Sequence, residues 1–310
     1  MRRVGLIGCG IVGGELGMRL LRSGFEVHVH DKHRDKADAL LAAGAVWMDR
    51  LADLGRHSDV LVSSLPRPED VQEALLGPDG AWAAAPPKTL HVDTSTIGVA
   101  CARTLAAEAA RRRIRYLDAP LSAAEARDEG PALTLFVGGH ADYFDLARPL
   151  LHTLAEHVHF VGGSPGYGQV VKLVNNLASQ AMTVALADAL AIGVKAGVPI
   201  ELLRAALHDG TAQCRLLDEL LTVSILRRDW RPGLRLDLAL KDLALAQELS
   251  RQTGAEAWLL DEVRAVHERA LERGWGEASE HVVFRLKEEA AGVSFRSPIF
   301  EQVRPAKEDR

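Results

Sequence analysis

Hydrophobic spacing changes twice near the start of the chain. Arg3 to Ile7 is a short apolar run, Leu16, Leu20 and Leu21 recur at helical spacing up to Ser23-Gly24, and Glu26 to His30 alternates up to Asp31. That succession predicts a strand, a helix and a second strand. Further strand patterns stand at Val60–Ser63, Leu90–Val92, Arg115–Asp118, Leu133–Val137 and His157–Val161, with helical stretches between several of them. Such alternation predicts an α/β fold with a mostly parallel, doubly wound sheet. After Gly162 no strand pattern follows. A long helix is expected from about Gly168 to Ala196, stopped by Gly197 and Pro199. Leu173, Val174, Leu177, Ala181, Val184, Ala185 and Ala189 make it apolar nearly all round, so neighbouring helices or a second subunit should bury it. Helices around Glu201–Leu207, Arg215–Leu226, Asp237–Gln252, Trp258–Glu272 and Glu280–Ala290 then give an all-α domain. The expected boundaries are 1–162 for the sheet domain, 163–295 for the helical domain and 296–310 for a loose tail.

Composition narrows the setting. With 37 Lys and Arg against 42 Asp and Glu the net charge is −5, which offers no basic field for nucleic acid. The Arg111-Arg112-Arg113 run reads as the solvated end of a helix. Three cysteines at no metal-ligand spacing argue for a reducing compartment, with the cytoplasm as the expected location. Glycines interrupt any signal-like apolar run at the N-terminus, and the uncharged stretch Leu173–Ala187 is too short to span a bilayer, so no membrane segment is expected. His28/His30 and His157/His159 each stand two apart on a strand without a third ligand at a recognisable spacing. Exposed strand faces are expected there rather than zinc.

The strand-to-helix turn carries the first chemistry. Gly8-Cys9-Gly10-Ile11-Val12-Gly13 has the G-x-G-x-x-G spacing of a dinucleotide site, in which glycines allow a tight turn, close approach of backbone to a pyrophosphate, and helix-on-strand packing. Asp31 falls about 20 residues on, at the end of the second strand. A carboxylate there accepts ribose hydroxyls and repels a 2′-phosphate, which favours NAD; Lys32 and Arg34 beside it would suit the phosphate of NADP. Cys9 is read as a packing residue without chemistry.

The second candidate lies in Gly166–Asn176, GYGQVVKLVNN. Lys172, Asn175 and Asn176 stand at i, i+3 and i+4, so one helix face presents an amine beside carboxamides. This pattern fits proton handling, and equally a snorkelling surface lysine next to two asparagines.

Together these features resemble the β-hydroxyacid dehydrogenase family, which includes 3-hydroxyisobutyrate dehydrogenases, tartronate semialdehyde reductases and glyoxylate/succinic semialdehyde reductases. The similarity runs from Arg3 to about Val283. Ser63-Ser64-Leu65-Pro66 is similar to the family's loop over the cofactor, and Asp93-Thr94-Ser95-Thr96 to its D-x-S-T segment. Asp118-Ala119-Pro120-Leu121-Ser122 is similar to the start of the substrate loop, and Lys241-Asp242 to a late pair near the nicotinamide. The resemblance implies a Rossmann-type domain, an all-α domain on a long interdomain helix, a homodimer or higher homo-oligomer, and hydride transfer between NAD or NADP and a small anionic hydroxy acid, aldehyde or keto acid.

By the same resemblance Lys172 is the catalytic lysine and Asn176 orients it or the substrate. Ser122, Ala123, Ala124, Asn175 and Asp242 belong to the substrate site, while Leu65, Pro66, Thr96 and Lys241 approach the cofactor. A lysine in this role stabilises and protonates a developing alkoxide, or as neutral amine accepts the hydroxyl proton. Lys241 is the candidate for a neighbouring cation that favours the neutral form. Ser122 also reads as a turn residue after Pro120, and Asp242 as a structural partner of Lys241. An imine reductase shares the architecture but commonly lacks the lysine; a non-catalytic dinucleotide-binding regulator is the reading from a different class.

The substrate segment departs from its relatives. Ser122-Ala123-Ala124 replaces the family's Ser-Gly-Gly, Arg127 stands near a later glycine, Leu234 replaces a common phenylalanine, and Ser279 and His281 replace an aspartate and a serine. Added Cβ atoms narrow the site, so an altered pocket is expected, with Arg127 either an anion contact or a solvated residue.

Overall fold

The computed structural model describes residues 2–127 and 130–297, with side chains described outside 124–131. Two compact units divide the chain, Met1–Val174 and Asn175–Arg310. Among the described residues of the first, nine strands form one sheet: β1 (Arg3–Ile7), β2 (Glu26–His30), β3 (Val46–Trp47), β4 (Val60–Ser63), β5 (Leu90–Asp93), β6 (Arg115–Asp118), β7 (Leu121–Arg127), β8 (Gly130–Gly139) and β9 (His157–Gly162). β1 lies between β2 and β4, and the order 3-2-1-4-5-6 is parallel throughout. This is the Rossmann order, and its reversal between β1 and β4 marks where such sheets bind dinucleotides. β6 and then β7 run antiparallel to β8, while β9 lies parallel to β8.

The central strands read as apolar because both faces are covered. Val60 and Val62 join one buried cluster, with Leu16, Leu20, Leu150 and Leu151 from helices Ile11–Arg22 and Ala141–Leu154. Leu61 joins the other, with Val71, Leu75, Ala102 and Leu105 from helices Pro68–Leu76 and Val99–Arg111. Alternate residues of one strand thus serve two helix layers.

Three local expectations change. The segment from Leu121, expected as a loop, is strand β7, paired Leu121↔Leu135, Ser122↔Thr134 and Ala123↔Leu133. Ala123 takes extended backbone because β8 supplies its ladder partner, which a low intrinsic strand preference does not prevent, and the register shifts between Ala123 and Ala126. The pair His28 and His30 is not on an exposed face: His28 bonds Glu26, and His30 bonds the Met48 carbonyl and stacks on Trp47 at 5.5 Å. The expected helix Arg215–Leu226 is wound as a π-helix over Leu216–Ile225. Most of the expected tail, residues 298–310, lies outside the described residues.

The second unit is helical, with Ile200–Asp209, Leu236–Thr253, Leu260–Glu272 and Val283–Ala291 joining the π-helical turn. Leu190, Leu217, Leu221, Leu236, Phe284 and Phe295 lie at its core.

One helix, Tyr167–Lys195, belongs to both units. Over its first half the buried face carries a polar row: Gln169, Lys172, Asn176, Gln180 and Thr183 are buried at helical spacing. Leu173, Leu186 and Leu190 are buried as well, whereas other apolar side chains are exposed, with Val174 at 59%, Met182 at 47% and Ile192 at 71%. By length and composition alone this helix would cross a membrane, but a lysine and three amides on one face mark it as a protein-facing helix.

Its N-terminus is capped from the sheet. Asp118, at the end of β6, accepts the backbone N–H of Gly166 at 2.8 Å and of Gln169 at 3.1 Å, which satisfies two of the donors a helix start leaves open. A Cβ at Gly168 would meet the Phe136 carbonyl oxygen at 2.3 Å, so only glycine permits this approach. Burial pushes the Asp118 carboxyl up to about 7, against the two N–H donors that favour its charge. Because the folded-state value is raised, proton binding stabilises the fold below the unfolded carboxylate range, and that contribution is lost as pH rises through about 7. Between pH 5 and 8 the Tm of the wild type should therefore fall relative to that of Asp118→Asn, read by calorimetry. A difference that stays flat over this range would contradict the assignment.

Candidate active site

The glycine turn after β1 is built for an anion. Gly8 has φ +94°, a conformation that favours glycine, and a Cβ at Gly13 would lie 2.0 Å from the Gly8 carbonyl oxygen. A Cβ at Gly10, by contrast, would meet no atom within 4 Å, so the middle of the turn faces open space. Helix Ile11–Arg22 begins there with no side-chain cap and no acidic residue in its first turn. Its N-terminal N–H groups and dipole fit the pyrophosphate of a dinucleotide, beside Ile11 and Val12.

Asp31 sits next to this turn. Its Oδ2 accepts the Cys9 N–H at 2.7 Å and its Oδ1 the His33 N–H at 2.8 Å. Burial, with the nearby Asp31 charge, pushes the Cys9 thiol up to about 12, so this cysteine stays protonated and inert. Lys32 pairs with Glu73 at 2.7 Å and with Asp70 at 3.4 Å. Arg34 lies over the Trp47 ring, 5.6 Å from its centroid. Both cations considered for a 2′-phosphate thus have partners within the protein.

Two loops at the C-terminal ends of β4 and β5 complete this half. Leu65 donates its N–H to Ser95 Oγ at 2.9 Å, which joins Ser64-Leu65-Pro66 to the Thr94-Ser95-Thr96 loop. Beneath them lies a buried polar group invisible to sequence inspection. Trp82 Nε1 donates to His91 Nδ1 at 2.7 Å, which fixes the tautomer so that His91 Nε2 donates to Ser63 Oγ at 2.9 Å. Ser63 in turn donates to Asp93 Oδ1 at 2.7 Å, and Tyr116 to Asp93 Oδ2 at 3.2 Å. Burial lowers His91 to about 3 and raises Asp93, so the histidine is neutral. Although it contains Ser, His and Asp, the group lacks a nucleophile's geometry: the aspartate bonds the serine, and Ser63 is fully buried. It holds the base of the cofactor loops.

Lys172 is buried, at 8% exposure, in the second turn of the Tyr167–Lys195 helix. Asn176 follows one turn on and is also buried; Asn175 is exposed and donates to Asn176 Oδ1 at 3.1 Å. In the second unit Asn176 Nδ2 donates to Asp242 Oδ2 at 2.6 Å, and Lys241 Nζ lies 3.2 Å from Asp242 Oδ1. Asp242 is thus partner to both Lys241 and Asn176.

Ser122 is half-buried opposite Thr134 in the β7–β8 ladder. The two-residue period of a strand sends Ala123 to the opposite face, so Ser122 and Ala123 do not line one surface. The side chains of Ala124 and Arg127 lie outside those described.

Known proteins carry the same architecture. A family described as the NAD binding domain of 6-phosphogluconate dehydrogenase matches residues 3–163, and one described as "NAD-binding of NADP-dependent 3-hydroxyisobutyrate dehydrogenase" matches residues 166–286. An NAD-dependent L-serine dehydrogenase of Pseudomonas aeruginosa is 30% identical over 94% of this chain and 100% of its own length. A 3-hydroxyisobutyrate dehydrogenase of Mycobacterium tuberculosis, solved with L-serine, superposes with a TM-score of 0.81 at 27% identity, covering 92% of this chain and 99% of that one. An imine reductase of Myxococcus stipitatus, at 22% identity and a TM-score of 0.61 over 92% of this chain and 99% of that one, shares the fold alone. The chain therefore belongs to the β-hydroxyacid dehydrogenase family, as an NAD- or NADP-dependent oxidoreductase acting on a CH–OH group.

Proposed function

We propose that the protein interconverts a small 3-hydroxy acid and its aldehyde or keto acid, with Lys172 as the general acid/base and NAD as the preferred cofactor. The observation that carries this reading is the burial of Lys172 on a helix face it shares with Asn176. A lysine is rarely kept from water without a task. The bound dinucleotide supplies or takes up the hydride. Lys172 donates a proton to the oxygen that becomes a hydroxyl, or accepts it in the oxidative direction. Asn176, held by Asp242, offers a fixed carboxamide one turn from the amine, and Ser122 holds the substrate carboxylate.

Cofactor choice rests on Asp31. Its carboxylate, fixed by two backbone N–H groups, opposes a 2′-phosphate, and Lys32 and Arg34 are drawn to Glu73 and Trp47. The L-serine named for two relatives makes a three-carbon hydroxy acid the first substrate to try. The exposed Val174, Met182 and Ile192 on the long helix fit a second copy of the chain, as a homodimer.

Three outcomes test this reading. Lys172→Ala should lower kcat by about 100-fold or more, the usual range for a general acid/base, while the dinucleotide Kd changes little; near-wild-type turnover would sink the mechanism. With NAD, kcat/KM should exceed that with NADP by about ten-fold or more, a gap that Asp31→Ser narrows; equal use of both by the wild type would refute the preference. Light scattering should give about twice the 33.5 kDa chain mass, reduced by Ile192→Glu, whereas a monomer at micromolar concentration would contradict the dimer.

A further inference from the structure

Gln169 has no part in the chemistry described so far, yet its surroundings are unusually specific. It is fully buried, at 0% exposure, three residues ahead of Lys172. Its Oε1 accepts the N–H of Ile97 at 2.9 Å and of Gly98 at 3.1 Å, and its Nε2 donates to the Ser95 carbonyl at 3.0 Å. Its own backbone N–H goes to Asp118. Ser95 meanwhile donates its N–H to Asp93 Oδ1 at 3.1 Å and accepts Leu65 N–H on its hydroxyl. One carboxamide therefore ties the loop Ser95–Gly98, and through it the loop at Leu65, to the first turn of the lysine helix.

These contacts join partners more than 70 residues apart in sequence. No packing requirement of an apolar helix calls for a glutamine there. A leucine would fill the volume but leave two N–H groups and one carbonyl buried without partners. The three bonds have the geometry of a spacer between the strand ends that meet the cofactor and the helix that carries the amine.

We propose that Gln169 is a positioning residue that sets the register of Lys172 against the Ser95–Thr96 cofactor loop, so that proton and hydride transfer share one geometry. The proposal rests on the reading of Lys172 as acid/base. Misplacement of reacting groups by about 1 Å costs on the order of 100-fold in rate, and the loss should appear in the chemical step.

The test compares Gln169→Leu, Gln169→Glu and Lys172→Ala. In Gln169→Leu, kcat should fall by about 10- to 100-fold per dinucleotide-binding site. The primary isotope effect on kcat with C4-deuterated reduced dinucleotide should rise as hydride transfer becomes limiting. In the protein without dinucleotide, amide exchange at Ile97 and Gly98 should quicken by about ten-fold or more, while β1 amides stay protected. Gln169→Glu keeps the oxygen that accepts both N–H groups and sets a second acceptor in place of the donor against the Ser95 carbonyl, so its kcat should lie between those of the wild type and Gln169→Leu and its Ile97 and Gly98 amides stay slow. An unchanged kcat and isotope effect in Gln169→Leu overturns the proposal. So does a loss of activity that only tracks the loss of folded, dinucleotide-binding protein. Should Gln169→Leu fail to fold, Gln169→Glu decides by the same two quantities. An inactive Lys172→Ala beside a normal Gln169→Leu rejects the positioning role alone, whereas an active Lys172→Ala rejects the lysine reading and the register with it.

Discussion

A helix begins with backbone N–H groups that no residue of the same helix can accept, and this chain answers that constraint in two opposite ways. At Ile11 the groups are left without a side-chain cap, beside a glycine turn open at Gly10, which makes the helix start a receptor for phosphate. At Tyr167 they are met from within, by the Asp118 carboxylate at the end of β6. The first helix start stays available to a ligand, and the second is fixed in the protein. A cofactor site and a lysine with a defined position follow from that difference.

The ends of β4, β5 and β6 carry the polar counterpart of the apolar strands behind them. Ser63, Asp93 and Asp118 each close a strand and each is fully buried. Burying such groups is unfavourable unless every donor and acceptor finds a partner. Here His91, Trp82 and Tyr116 serve Ser63 and Asp93, and the helix N–H groups serve Asp118. The raised carboxyls of Asp93 and Asp118 show the desolvation that remains after those bonds are counted. Rigidity at these strand ends comes from hydrogen bonds whose directions leave little freedom to the loops above them.

Legibility in the sequence divides along the same line. β1 and β4 could be read because they are short apolar runs, and the glycine turn because its spacing has a mechanical cause. Lys172 and Asn176 could be paired because helical spacing is local. Gln169, His91 and Tyr116 could not be assigned roles, since their partners are separated by 9 to 74 residues and no periodicity links them. β7 was hidden for another reason: Leu-Ser-Ala-Ala-Glu-Ala-Arg has no β-branched residue, and only pairing with β8 makes it a strand. The π-helical winding of Leu216–Ile225 left its apolar pattern looking like an ordinary helix.

β7 also changes what the alanines after Ser122 mean. In a flexible loop, replacing Gly-Gly by Ala-Ala removes backbone freedom and narrows the space around it. At Ala123 the pairing with Leu133 already holds the backbone extended, a conformation open to alanine, and the register shifts between Ala123 and Ala126. Ser122 is then placed by its register with Thr134, and Ala123 is turned to the other face by the same pairing. At Ala123 the difference from Ser-Gly-Gly relatives is therefore a stiffening of the segment that carries Ser122.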